Sequence, residues 1–158
     1  MFWHLSRTWL AEPSVTGKGV RAALQIGYRH VDCASRYMNE KEIGDALTDT
    51  FQKNADIKRP AVFLTGKLWS QDFSRVREAC EQSLKDLQVD YLDQYLIHHP
   101  VGIKEDCSTF FPEKGDDLIP WEADQFQVSF YIFFYSTNRP NTSYIIVWHR
   151  GEYGLQRF

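Results

Sequence analysis

An α/β architecture built on a parallel sheet, open or curled into a (β/α) barrel, is the fold class this sequence predicts, and three observations predict it. Helical and strand-like stretches alternate from Ser14 to Ile97 in the order helix, strand, helix, strand, helix, strand. The strand ends near Asp32, Lys67 and His98 stand 35 and 31 residues apart, the length of one βα unit. The run AVFLTG, Ala61 to Gly66, is apolar without alternation, as a strand covered on both faces must be.

After Pro13, SVTGKGVRAALQIG places Val20, Ala23, Leu24 and Gly27 on one helical face, with Ser14 a candidate N-cap and Gly27 a candidate stop. A short strand follows at Tyr28 to Asp32. Asn39 with Glu42 three residues later is a variant of the capping box, and Ile43, Ala46, Leu47 and Phe51 carry a helical stripe to about Gln52. The strand Ala61 to Gly66 is bounded by Pro60 and Lys67. From Asp72, the residues Phe73, Val76, Cys80, Leu84 and Leu87 keep helical spacing, and YLDQYLI, Tyr91 to Ile97, predicts the next strand.

Past Pro100 the pattern changes. Residues 101–127 carry Gly102, Pro112, Gly115, Asp116, Asp117 and Pro120 with little periodicity and predict a long loop. Val128 to Tyr135 and Ser143 to His149 are β-prone runs joined by the turn-rich STNRPNT, which predicts a hairpin. The division expected is residues 1–126 as the α/β part and 127–158 as a divergent, aromatic-rich tail.

At 158 residues, 43% hydrophobic and 25% charged, the composition is that of a globular domain, and a net charge of -3 gives no reason to expect a nucleic-acid or membrane-surface partner. A small molecule or another protein is the expected partner. Cys33, Cys80 and Cys107 form no CxxC pair, and an odd count without a signal peptide argues for a reduced, cytoplasmic setting. No apolar run reaches the roughly 18 residues of a transmembrane helix. No spacing of Cys, His or carboxylates completes a metal-ligand set.

An ionisable residue stands at each strand's C-terminal end: Asp32, Lys67 and His98. In (β/α) barrels that end carries the chemistry. Tyrosine is a weak acid, but a neighbouring ammonium such as that of Lys67 stabilises the phenolate, and Asp32 can hold the lysine in place and charged. A neutral His98 can donate a hydrogen bond to a substrate carbonyl and polarise it. With Tyr37 these form a proton-delivery unit for a carbonyl carbon receiving hydride. Taken singly, the Asp and Lys also fit a plain ion pair, Tyr37 a loop tyrosine and His98 a structural histidine; their convergence at one sheet end is what favours chemistry.

The stretches GYRHVDCASRYMNEKEIGDAL, LTGKLW and DLQVDYLDQYLIHHP resemble successive signatures of the aldo-keto reductase family, over roughly residues 8 to 100. The resemblance implies a TIM-type (β/α)8 barrel, the cofactor NADP (NADPH), and reduction of an aldehyde or ketone to an alcohol. Carried over position by position, it makes Tyr37 the general acid, Lys67 and Asp32 the residues that tune it, and His98 the residue that orients substrate. Asp32 also falls in the implied cofactor set. Thr8 and Trp9 resemble the family's Gly-Thr-Trp at the first barrel strand, where backbone meets the nicotinamide ribose and the tryptophan lines the substrate pocket, although Arg7 replaces the glycine. His99 stands where the family usually has a pocket-wall Trp. Gly66 and Met38 stand where Ser and Gly are common, and Gly66 is expected to loosen the strand end.

A closed barrel takes about 250 residues. The expectation is therefore a partial barrel of about three to four βα units with a divergent tail, NADP binding weakened by the missing later strands, and an exposed sheet edge through which the chain self-associates.

Overall fold

The computed structural model describes residues 4–5, 14–99, 102–109, 144–149 and 152–157. Strands β1 (His4–Leu5), β2 (His30–Asp32), β3 (Phe63–Leu68) and β4 (Gln94–Ile97) form one parallel sheet in the order β1-β2-β3-β4. Helices α1 (Val15–Gln25), α2 (Glu40–Lys53) and α3 (Val76–Leu87) make the three crossovers. Strand order that never reverses is the order of a barrel wall, whereas a doubly wound sheet reverses at its switch point. Among the described residues, β4 has a strand neighbour on one side, β3.

The apolar stripes read from the sequence meet in one core. Val20 and Leu24 of α1, Val31 of β2, Ile43 and Leu47 of α2, Leu64 and Leu68 of β3, Leu87 of α3 and Tyr95 of β4 are buried together. Gly27 ends α1 as predicted: it has a positive φ of 105°, and the N–H of Tyr28 turns back to the carbonyl of Ala23 at 2.9 Å.

α1 and α2 start where expected, but their side-chain caps differ from expectation. Ser14 occupies the N-cap position of α1 without a side-chain cap bond, and Asn39 likewise does not cap α2. The first turns of α1 and α2 lie side by side, so Glu42 bridges between helices: its Oε1 accepts the Gly17 N–H at 2.7 Å. Asn39 Nδ2 donates to Thr16 Oγ1 at 3.4 Å. The predicted capping box thus becomes a pair of contacts to α1.

Two glycines mark close approaches. A Cβ on Gly44 would stand 2.4 Å from the Asp86 carbonyl oxygen, so α2 and α3 touch backbone to backbone there. A Cβ on Gly66 would stand 2.7 Å from Leu92 Cδ1 and 3.0 Å from the Tyr95 ring. Gly66 therefore makes room for buried Tyr95, and the strand end is tightly packed where loosening was expected.

β3 starts at Phe63, after a 3₁₀ turn at Arg59–Ala61, and β4 starts at Gln94. The residues before these strands go to a polar clamp. Arg59 Nη2 donates to the Tyr91 carbonyl and to Asp93 Oδ2, both at 2.8 Å, and Asp93 Oδ2 also accepts the Leu64 N–H at 2.8 Å. α3 likewise starts late, at Val76, because Ser70–Asp72 forms its own 3₁₀ turn.

In the tail, the strand expected at Ser143 to His149 is β5 (Tyr144–His149). Its partner is β6 (Glu152–Arg157), antiparallel, with Tyr144 opposite Arg157. The hairpin was expected with Val128 to Tyr135, which lies outside the described residues; an immediate neighbour in sequence closes a smaller loop. No described helix is long and apolar enough to cross a membrane.

Glu40, in the first turn of α2, is 5% exposed. Burial raises its carboxyl from 4.5 to about 7; Asp86 adds to the rise, while the Ser83 hydroxyl and Lys67 oppose it. With the folded value above the unfolded one, stability falls as pH rises from 4.5 to about 7 and then levels. The loss expected is roughly 3 kcal/mol, absent in Glu40→Gln, in urea melts across that range. Arg59→Ala leaves Asp93 without its partner at the base of two strands and is expected to cost about 3 kcal/mol in the same melts.

Candidate active site

The register of β2 on β3 sets Asp32 opposite Thr65. Lys67 is two residues further along β3, so its long side chain reaches back over the end of β2. There the chain leaves the strand through Cys33 and Ala34 and folds into a 3₁₀ turn, Ser35–Tyr37, that carries Tyr37. Lys67 Nζ lies 2.7 Å from Asp32 Oδ1, 3.0 Å from the Cys33 carbonyl and 3.2 Å from the Tyr37 hydroxyl. An ammonium has three N–H donors, and each finds an oxygen. Because Lys67 donates to the phenol oxygen, the hydroxyl hydrogen of Tyr37 points elsewhere, available to an incoming acceptor.

Lys67 is nearly enclosed, its side chain 12% exposed, while that of Asp32 is 29% exposed. Such a charge is held by its partners. Cys33 contributes only its carbonyl: its thiol is buried and pushed far up by desolvation, with Glu40 and Asp32 adding to the rise.

His98 follows β4, its N–H bonded to the Leu68 carbonyl at 2.9 Å. Its ring packs edge-on to Tyr37, centroids 5.4 Å apart, and to Trp69, 5.3 Å apart. Burial holds the imidazole below the ordinary histidine range; the Lys67 ammonium, then His99 and Arg36, push the same way and Asp32 opposes. Nδ1 of His98 is buried without a hydrogen-bond partner among the described residues. A neutral imidazole beside a phenol is suited to orient a polar substrate group.

The structure therefore brings Asp32, Tyr37, Lys67 and His98 to one sheet end. His99 is exposed beside them, its carbonyl accepting a bond from Ser70 Oγ at 3.2 Å. Thr8 and Trp9 lie outside the described residues. Two neighbours went unassigned in the sequence: Trp69, packed on His98, and Arg36, whose guanidinium sits 5.5 Å from the Trp69 ring centroid. Strand alternation offered a signal for Trp69, which stands two residues after Lys67 and so on the same face. Among the described residues no group of three or more His, Cys, Asp or Glu is arranged to hold a metal ion.

Comparison with known proteins places this geometry in context. The Aldo/keto reductase family model matches residues 3–117. The chain belongs to the aldo-keto reductase family. An aldo/keto reductase of Synechocystis is 48% identical over 116 residues, covering 72% of this chain and 35% of the relative. An NADP-dependent D-sorbitol-6-phosphate dehydrogenase of Malus domestica is 43% identical over 99 residues, 63% of this chain and 32% of that protein. The aldose reductase structure of Schistosoma japonicum is similar at a TM-score of 0.66 and 42% identity, covering 77% of this chain and 42% of that one. This aldo-keto reductase chain spans about a third of the length of the curated relatives it matches. Its fold is an incomplete α/β barrel, and its family is one of oxidoreductases.

In an NMR titration of this aldo-keto reductase chain, His98 is expected to protonate at lower pH than a free histidine. Lys67→Met removes the second cause of that depression, after burial, and is expected to move the titration upward.

Proposed function

We propose that this chain carries the proton-transfer half of an NADP-dependent carbonyl reductase. The observation that supports this most is the threefold ligation of Lys67, which leaves the Tyr37 hydroxyl hydrogen free of its neighbours. Tyr37 delivers that proton to the carbonyl oxygen of an aldehyde or ketone as the carbonyl carbon is reduced. The resulting phenolate lies 3.2 Å from Lys67 Nζ, so positive charge already stands where negative charge develops. Asp32 holds Lys67 in that position. His98, neutral and packed against Tyr37, orients the carbonyl, with Trp69 and His99 forming the wall beside it.

A nicotinamide cofactor, when bound, supplies the hydride that this proton complements. The donor set fits such a cofactor: a phenol backed by a held ammonium is a proton source matched to hydride addition at a carbonyl. The relative from Malus domestica is named as NADP-dependent. Asp32, Thr8 and Trp9 are the residues of this chain assigned to hold the nicotinamide end.

The test is to titrate residues 1–158 with NADPH by fluorescence and to assay reduction of a small aldehyde. Binding with turnover that falls about a hundredfold or more in Tyr37→Phe supports the reading. Absence of NADPH binding, or full turnover in Tyr37→Phe, overturns it for this chain.

A further inference from the structure

The first turn of α2, three residues beyond Tyr37, buries a carboxyl that the site described above does not use. Glu40 is 5% exposed, and Ser83 of α3 and Tyr95 of β4, both coupled to it electrostatically, are each 1% exposed. Among the described residues, Glu40 Oε1, Ser83 Oγ and the Tyr95 hydroxyl have no hydrogen-bond partner of normal geometry. They are nonetheless neighbours, since the Ser83 hydroxyl acts on both the Glu40 carboxyl and the Tyr95 phenol. Buried polar atoms left this way call for a reason.

We propose that Glu40 is a positioning residue for Tyr37: docked between α2 and α3 against Ser83 and Tyr95, it sets where the turn bearing Tyr37 stands relative to Lys67. The inference rests on Tyr37 as the proton donor. The link is short. Tyr37 ends its 3₁₀ turn, Met38 takes a left-handed conformation with φ 57°, Asn39 is buried, and Glu40 opens α2. No glycine interrupts this segment, so a shift of Glu40 passes to Tyr37.

The helices constrain how Glu40 can respond to ionisation. One turn on, Gly44 lies against the backbone of Asp86 and Leu87, which fixes α2 on α3 at that point. Beside it a cavity of about 920 Å³ opens, lined by Tyr37, Glu40, Arg75, Gln82, Ser83 and Asp86 among others. An ionised Glu40 gains solvation by moving toward this groove, pivoting on Gly44 and drawing the Tyr37 turn with it. The groups coupled electrostatically to Glu40 are Asp86, Ser83 and Cys80 on α3, Lys67 on β3, Cys33 after β2 and Tyr95 on β4. Asp86 opposes its ionisation and Lys67 favours it. On its own helix Lys41 and Glu42 follow, with Glu42 engaged on the Gly17 N–H. Once charged, Glu40 adds a negative charge near Lys67 and so opposes the phenolate that proton transfer leaves on Tyr37.

The full chain, labelled with ¹³C at the tyrosine Cζ and glutamate carboxyl carbons, tests this by NMR. Tyr37→Phe and Glu40→Gln identify the two resonances. With the Glu40 carboxyl titrating at about 7, its ionised fraction passes from about one-tenth at pH 6 to about nine-tenths at pH 8. The Tyr37 signal is expected to show an inflection over the same range. Glu40→Gln is expected to abolish the inflection and hold Tyr37 at its low-pH position. Ser83→Ala, which removes a group that favours ionisation, is expected to move it to higher pH. A Tyr37 signal flat across neutral pH in the unsubstituted chain, or an inflection that survives Glu40→Gln, overturns the proposal. The underlying reading fails by a different result, namely turnover unaffected by Tyr37→Phe.

Discussion

The ammonium of Lys67 is the constraint on which the candidate site depends. It arrives on β3, is almost enclosed, and is held in place where a carboxylate, a main-chain carbonyl and a phenol oxygen converge on it. Those acceptors come from the end of β2, from the residue that follows it and from the turn beyond. A single cation thereby ties a strand end to the loop it leads into. The same ligation settles the direction of the Tyr37 hydroxyl hydrogen, because a phenol oxygen that accepts from Lys67 must donate elsewhere.

Precision at that end requires rigidity at the other. Arg59 and Asp93 join β3 to β4 at their beginnings, with Asp93 also taking the Leu64 N–H. Between the two polar ends lies an apolar middle of Leu64, Leu68, Val31, Ile43 and Leu47. Tyr95 fills the space above Gly66, the residue just before Lys67. The lysine is thus held by packing beneath it as well as by oxygens around it, which is how a small site keeps its geometry.

The helix layer adds a second kind of coupling. Glu42 satisfies an N–H of α1, and Asn39 reaches Thr16, so the first turns of α1 and α2 are joined by side chains that local patterning assigned to α2 alone. Gly44 brings α2 against α3. The turn bearing Tyr37 is anchored through α2 to both neighbouring helices, and its position depends on the packing of all three.

Sequence by itself determined the alternation of helices and strands, the apolar stripes, the parallel order and the presence of Asp32, Lys67 and His98 at successive strand ends. These follow from residue spacing, which obeys fixed helix and strand periods. It also carried the family signatures that single out Tyr37. Tertiary structure alone decided the rest. Element starts at Phe63 and Gln94 were displaced because Arg59 and Asp93 were committed to a clamp with each other across the chain, and that at Val76 because Asp72 closes its own local turn with Arg75. Glu42 capped a different helix, Trp69 and Arg36 joined the site, Gly66 proved to be a close contact, and the tail strand β5 paired with β6. Apart from the local turn before Val76, Trp69, which strand alternation could have found, and the short-looped hairpin, these depend on which distant atom stands within about 3 Å of a donor or a methyl group, and no local spacing rule contains that information.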